Sequence, residues 1–323
     1  MEIGSFIELD LRNIGEYYKQ DTDIVRLNAA RTGIYHASRL LTCSTIYLPY
    51  YLCSVVRDFL IKKGLVVRYY SISDKFEPLL KGNENDTAIL MVNYFGILSN
   101  SFVANLSKKF QNVIIDNCPA FFNQPIQGCY NIYSPRKFFG VPDGGYVIGK
   151  NAGRFMDEYK QDYSSETALF LLKRIEFGSS PVYKERMYNE DRISNSDILK
   201  MSVLTQSLLA NLDYNHIKTK RQSNFKYAHK IFGSLNLIDP TFVADNYIVP
   251  MVYPLVIEDI SLVEKLKMKK IYTGRWWQHV LSDVMENSFE AQLSKYMIPI
   301  PIDQRYSSTD LDFIKTEMLS FLE

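Results

Sequence analysis

The run Thr87-Ala88-Ile89-Leu90-Met91-Val92 shows no polar alternation, so as a strand it must be buried on both faces, the situation of an inner strand in a parallel sheet. Its surroundings agree. A helical pattern beginning at Ser101 carries Phe102, Val103, Leu106 and Phe110 inward and leads into a strand at residues 112–115. Upstream, a short apolar strand at residues 46–48 precedes a helix with Val55, Val56, Phe59 and Leu60 on one face and Gly64 as its stop, and a strand follows at residues 66–70. Strand, helix, strand, repeated, predicts an α/β chain built on a parallel sheet.

Open parallel sheets collect ligands at the carboxyl ends of their strands, where loops and helix N-termini converge. Asp116 ends the strand at residues 112–115, and two further strand candidates, residues 129–133 and 145–149, place the loop carrying Lys137 at the same edge. Beyond a mixed stretch from Ala152 to Ser196, helices are expected at residues 198–212 and 215–232, the second a mostly polar connector with Ile217, Phe225, Ala228, Ile231 and Phe232 apolar. A strand at residues 247–257, interrupted by Pro250 and Pro254, suits an edge or a bulge. Ser261 caps a short helix, and a last helix starts at Thr309 with Asp312 in capping-box position and Leu311, Ile314, Met318 and Leu322 along one stripe. The expected division is a large α/β domain over residues 1–222 and a small C-terminal α+β domain over 223–323.

The 323 residues are 46% hydrophobic, enough for a sizeable core, and 37 basic residues stand against 36 acidic ones without a long block of either sign. Nucleic acid is therefore not an expected partner, and a small molecule is. No apolar run approaches the roughly 18 to 20 residues of a membrane span. Cys43, Cys53, Cys118 and Cys129 lack C-x-x-C spacing and no leader pattern is visible, which together suggest the cytoplasm. His36, His216, His229 and His279 are scattered, so no metal site is expected, and neither G-x-G-x-x-G, a P-loop nor G-x-S-x-G occurs.

A lysine alone is most often a solvated surface group. Lys137, however, stands beside Arg136, which would disfavour its ammonium form, and among Pro135, Phe138 and Phe139, which would desolvate it. A carboxylate at a strand end and an amine in a loop at the same edge are what pyridoxal phosphate requires: one keeps the pyridine nitrogen protonated, the other binds the aldehyde. An Asp-Asn pair after a strand also makes a simple Asx turn, the plainer account of Asp116. For the phosphate, the helix opening near residues 27–33 offers backbone N–H groups, with Arg31, Thr32 and Ser134 as side-chain candidates.

These pieces, in this order, resemble the DegT/DnrJ/EryC1/StrS family of pyridoxal phosphate-dependent sugar aminotransferases. The resemblance lies in Leu27-Asn28-Ala29-Ala30-Arg31-Thr32-Gly33-Ile34, Leu48-Pro49-Tyr50-Tyr51-Leu52-Cys53, Val92-Asn93-Tyr94-Phe95-Gly96, Ile115-Asp116, Ser134-Pro135-Arg136-Lys137 with Asp143-Gly144-Gly145, and Pro301-Ile302-Asp303-Gln304-Arg305-Tyr306. It implies the PLP-dependent transferase fold type I, with a mostly parallel seven-stranded sheet, a smaller C-terminal domain, and a homodimer with shared active sites. By position, Lys137 would bind the cofactor covalently and Asp116 would face its pyridine nitrogen. Ser134 and the Ala30-Arg31-Thr32 turn would hold the phosphate, and Cys53 or Tyr51 would lie over the ring. Pro119, Asn93 and Ala30 stand where the family commonly has glutamine, histidine and glycine. The implied activity is amino transfer from glutamate or glutamine to a nucleotide-linked ketosugar, for cell-surface polysaccharide. Dehydration of a sugar, or a degenerate cofactor-fold protein that binds without turnover, are the alternatives.

Overall fold

The computed structural model describes residues 3–19, 21, 23–243, 245 and 247–322. Seven strands form one mixed sheet: β1 (Ile24–Leu27), β2 (Thr45–Pro49), β3 (Val66–Tyr70), β4 (Thr87–Val92), β5 (Val113–Asp116), β6 (Tyr130–Tyr133) and β7 (Gly145–Ile148), in the order β1-β7-β6-β5-β4-β2-β3. The five strands from β6 to β3 run parallel, while β7 pairs antiparallel with both β6 and β1. All six residues of β4 are buried, as an inner strand demands.

The connections are α1 (Ala30–Leu40), α2 (Ser54–Lys62) and α3 (Asn100–Ser107). Then come α4 (Leu169–Phe177), α5 (Tyr183–Asn195), α6 (Val203–Ala210) and α7 (Tyr214–Phe232). The last third holds an antiparallel pair, β8 (Val252–Val256) with β9 (Met297–Pro301), and helices α8 (Leu262–Met268), α9 (Phe289–Tyr296) and α10 (Ser308–Leu322). Residue 222 lies in the middle of α7, and one buried apolar cluster runs from the large sheet into the β8–β9 layer.

Local chemistry moves several boundaries. Helix α3 is capped by the Ser99 side chain, which accepts the Phe102 N–H, not by Ser101. Val55 is exposed on α2, and α6 begins only at Val203, because residues before it run extended and Lys200 bridges to Leu27 and Gln161. The Ser261 hydroxyl donates to Asp259 and does not cap α8. At α10 the pair is Ser307 with Asp310, whose carboxylate accepts both the Ser307 N–H and hydroxyl at 2.8 Å, in place of Thr309 with Asp312.

Two glycines set loop geometry at the site. Gly96, at φ +77°, follows Phe95 at φ +57°, and a Cβ on it would lie 2.2 Å from the Pro119 carbonyl oxygen. Gly145 lets β7 meet the start of α1, where a Cβ would come within 2.6 to 2.8 Å of Ala29 and Ala30 backbone atoms.

Candidate active site

Asp116 is the last residue of β5, paired in register with Val92 of β4 and Ile132 of β6, so it emerges at the carboxyl edge of the parallel strands. The ladder continues past it: Asn93 N–H donates to the Asp116 carbonyl at 3.0 Å and Asn117 N–H to the Ile132 carbonyl at 2.8 Å. Its side chain is buried, and Oδ1 accepts the Cys118 backbone N–H at 2.9 Å. The Asx turn is therefore real, and it aims the carboxylate. Burial pushes the Asp116 carboxyl above its ordinary value, against the opposing pull of bonds from Cys118 and of the Lys137 charge.

Lys137 closes a single 3₁₀ turn, Pro135–Lys137, that follows β6 at the same edge. Proline at its first position supplies a fixed φ. The Lys137 side chain is exposed and lines a cleft of about 870 Å³. Phe138 and Phe139 are buried beneath it and do not wrap it. Arg136 turns to Glu190 of α5 at 2.6 Å, so the expected crowding of Lys137 by its neighbours is not how the turn is built. Glu190 is held below its ordinary value, because Arg136 and Lys137 together outweigh its burial.

The next residue is clamped from the far end of the chain. The Phe138 carbonyl accepts Gln304 Nε2 at 3.0 Å, and its ring lies 4.4 Å below the Arg221 guanidinium. Arg221, almost wholly buried on α7, donates to Gln304 Oε1 and to the Pro250 and Met251 carbonyls at 3.0 to 3.2 Å. Burial lowers its pKa to about 10.

The start of α1 carries no side-chain cap and no acidic residue in its first turn, which leaves its first N–H groups to an outside acceptor. The candidate side chains there are largely engaged. Thr32 Oγ1 donates to Asn28 Oδ1 at 3.0 Å and to the Ala29 carbonyl at 2.7 Å. Arg31 donates to the Ile193 carbonyl and to that of Ser196 at 2.9 Å, closing the C-terminus of α5, where carbonyls attract a cation. Its buried Nε lacks a partner; burial and the Arg136 charge lower its pKa to about 10. Ser134 is buried between β6 and the lysine turn, and Ala30 is half-buried.

Cys53 occupies the N-cap position of α2 and interacts electrostatically with both Cys118 and Arg31, which puts it between the Asp116 loop and α1. Tyr51 does not join it. Its ring is fully buried against Trp277, 4.6 Å away and edge-on, with an unpartnered hydroxyl.

Asp143 supports the segment behind the lysine turn. Wholly buried, it accepts the Ser202 N–H at 2.8 Å, the Ser202 hydroxyl at 2.6 Å, the Ser164 hydroxyl at 3.2 Å and the Thr205 hydroxyl. Gly144 N–H then donates to the Asn28 carbonyl at 2.7 Å, which ties this segment to α1.

No family model and no curated protein matches the sequence. The fold does find matches. It is similar to the sugar aminotransferase CalS13 from Micromonospora echinospora, at TM-score 0.64 and 14% identity over 92% of this chain and 87% of that one. A DegT DnrJ EryC1 StrS aminotransferase from Brucella abortus follows at 0.58 and 13%, covering 92% and 85%. NtdA from Bacillus subtilis, with bound cofactor PMP, gives 0.59 and 12% over 92% and 72%. The architecture is thus that of PLP-dependent aminotransferases, the fold type I expected above.

Proposed function

We propose that this chain is a pyridoxal phosphate-dependent aminotransferase that moves an amino group from glutamate or glutamine to a nucleotide-linked ketosugar, in the service of cell-surface polysaccharide. The observation that carries the reading is the pairing of Asp116 and Lys137: two adjacent parallel strands deliver a buried carboxylate and an exposed amine to one sheet edge, where the Lys137 charge acts on Asp116.

The residues fit the cofactor. Asp116 is a buried carboxylate that forms no ion pair among the described residues, and a protonated pyridine nitrogen would supply one. The free N–H groups at the start of α1, with Ser134 nearby in sequence to the lysine turn, would hold the phosphate. Cys53 would take the place over the ring. Bound there, the cofactor supplies an electron sink for the donor's α-carbon. Asp116 would keep the proton on the ring nitrogen. Lys137 Nζ would hold the cofactor covalently through its aldehyde, and as a free amine it would be the base that moves the donor's α-proton.

Three further parts belong to this reading. Leu169, Leu172, Ile175 and Phe177 of α4 are exposed, as are Ile3, Phe6 and Ile7, which supports a homodimer burying them. A division into residues 1–222 and 223–323 follows the change from the seven-stranded sheet to the β8–β9 pair. The cytoplasm suits four free cysteines, and among the described residues no helix is long and apolar enough to cross a membrane.

The test is direct. Protein reconstituted with pyridoxal phosphate should absorb at the edge of the visible, and borohydride followed by peptide mapping should place the label on Lys137. Glutamate should then convert the spectrum to that of the amine form. A protein that takes up no cofactor, or carries the label on another lysine, refutes the assignment.

A further inference from the structure

The four cysteines divide between the two edges of the large sheet. Cys43 stands just before β2 and Cys129 just before β6, at the amino ends of their strands, while Cys53 follows β2 and Cys118 follows β5, at the carboxyl ends. The second pair is open. Every residue from Val113 to Asn123 is buried except Cys118, and Cys53 is likewise only partly covered, at the N-cap of α2. The Cys118 N–H is bonded to Asp116 Oδ1 at 2.9 Å, so the turn that aims the carboxylate also fixes where this thiol emerges.

The neighbours of the pair are the groups assigned to the cofactor. Cys118 interacts electrostatically with Asp116, Lys137 and Cys53, and Cys53 with Arg31 at the start of α1. Burial and the Asp116 charge push the Cys118 thiol well above its ordinary value. Strand β4 separates β2 from β5, and strands two places apart lie about 10 Å from one another. A disulfide brings its Cα atoms to roughly 4.4–6.8 Å, so the strand spacing favours two separate thiols over a bond between them. A flat ring, with a sulfur at about 3.5–4.0 Å on either side, fits that spacing.

We propose that Cys53 and Cys118 form a thiol-modification site on two sides of the cofactor's place, reacting with small disulfides, and that modification and cofactor binding exclude one another. The inference rests on the reading of Asp116 and Lys137 as the two ends of the cofactor site. In the exchange the cysteine sulfur attacks one sulfur of the disulfide, whose S–S bond breaks. The other half leaves as a thiolate and takes up the proton that the cysteine gave, so no further oxidant enters. The group left on the cysteine then occupies the ring's place. Cys118, whose proton burial retains, is the slower of the two.

Bis(2-hydroxyethyl) disulfide is the probe, incubated with the full chain either free of cofactor or with pyridoxal phosphate at about a hundred times its dissociation constant, and peptide mapping follows each cysteine. At that concentration about one site in a hundred is empty, so labelling of Cys53 and Cys118 should slow about a hundred-fold. Cys129, partly open at the other edge, should label at one rate in both samples. In the other direction, protein labelled before pyridoxal phosphate is added should develop no absorbance at the edge of the visible, and removal of the label by dithiothreitol should restore it. Cys129→Ser, which lacks the other open thiol, should lose and regain the absorbance as the parent does. No labelling of the pair in cofactor-free protein, labelling of either at an unchanged rate under cofactor, or full absorbance in labelled protein overturns the proposal. A chain that never shows the absorbance refutes the aminotransferase reading and this inference with it, whereas one that shows it and leaves the thiols unprotected refutes this inference alone.

Discussion

Replacing Asp143 by alanine tests how the lysine turn is supported. Four donors converge on this one buried carboxylate: the Ser202 N–H, and the hydroxyls of Ser202, Ser164 and Thr205. They would not suffer equally. The hydroxyls of Ser164 and Ser202 already share a bond of 2.7 Å and could keep it, and a helical threonine hydroxyl can turn to a carbonyl of the preceding turn. The Ser202 N–H has no such recourse and would be left buried and unpaired, at a cost of about 1–3 kcal/mol. Adding the charge-assisted bonds that are only partly replaced, and setting against them the desolvation relieved by removing a charge, the net loss comes to about 3 kcal/mol. That is a large share of the roughly 5–15 kcal/mol that holds a domain folded. Urea denaturation followed by far-ultraviolet circular dichroism is the suitable assay, since Trp276 and Trp277 both lie in the last third and would report on it first. Ser164→Ala, which removes the 3.2 Å bond to Asp143 and the 2.7 Å bond to the Ser202 hydroxyl but leaves the Ser202 N–H paired, should cost about 1–2 kcal/mol. An Asp143→Ala midpoint indistinguishable from that of the parent would refute this account of the turn.

Asp116→Asn should stabilise the cofactor-free protein at neutral pH while removing the rise in thermal midpoint expected on adding pyridoxal phosphate. The folded-state value lies above the ordinary 3.8, so stability is greatest below 3.8 and declines as pH rises through the folded value, leaving an ionised buried carboxylate as a cost at pH 7. A destabilised cofactor-free variant would contradict this. His36 is buried, its Nε2 donating to the Ala152 carbonyl at 2.7 Å and its Nδ1 accepting the Tyr159 hydroxyl at 2.9 Å, and burial lowers its pKa below 6.5. Because the unfolded chain takes up a proton that the folded one refuses, stability should fall as pH drops below about 6.5. His36→Asn should flatten that slope in urea titrations between pH 7.5 and 5, and an unchanged slope would assign it to other groups.

The parallel sheet was legible because its signal is local. Thr87–Val92 and Val66–Tyr70 are bounded by helix and turn residues within a few positions, and Asp116 and Lys137 follow directly from where two such strands end. Strand β1 was not anticipated, since half of it is only partly buried and its Arg26 is held by Glu16, a pairing invisible in a four-residue segment. Residues 198–202 have the composition of a helix start but are claimed by the bridges of Lys200 to Leu27 and Gln161. Arg31 and Thr32 sit where the sequence put them, yet the α5 carbonyls and Asn28 take their donors, which only the fold reveals. The cleft lined by Lys137 gathers positions from 136 to 305, and no window of sequence contains it.

The hold of Gln304 and Arg221 on Phe138 has a mechanical consequence. The lysine turn is bolted to the chain's far end through the residue beside it, and the same arginine grips the strand entering β8. A swing of the last third about α7 would either carry Lys137 with it or break those bonds. A fragment ending at residue 222 would accordingly retain Asp116, Lys137 and the whole seven-stranded sheet, and would still have lost the mounting that keeps the amine where the carboxylate can face it.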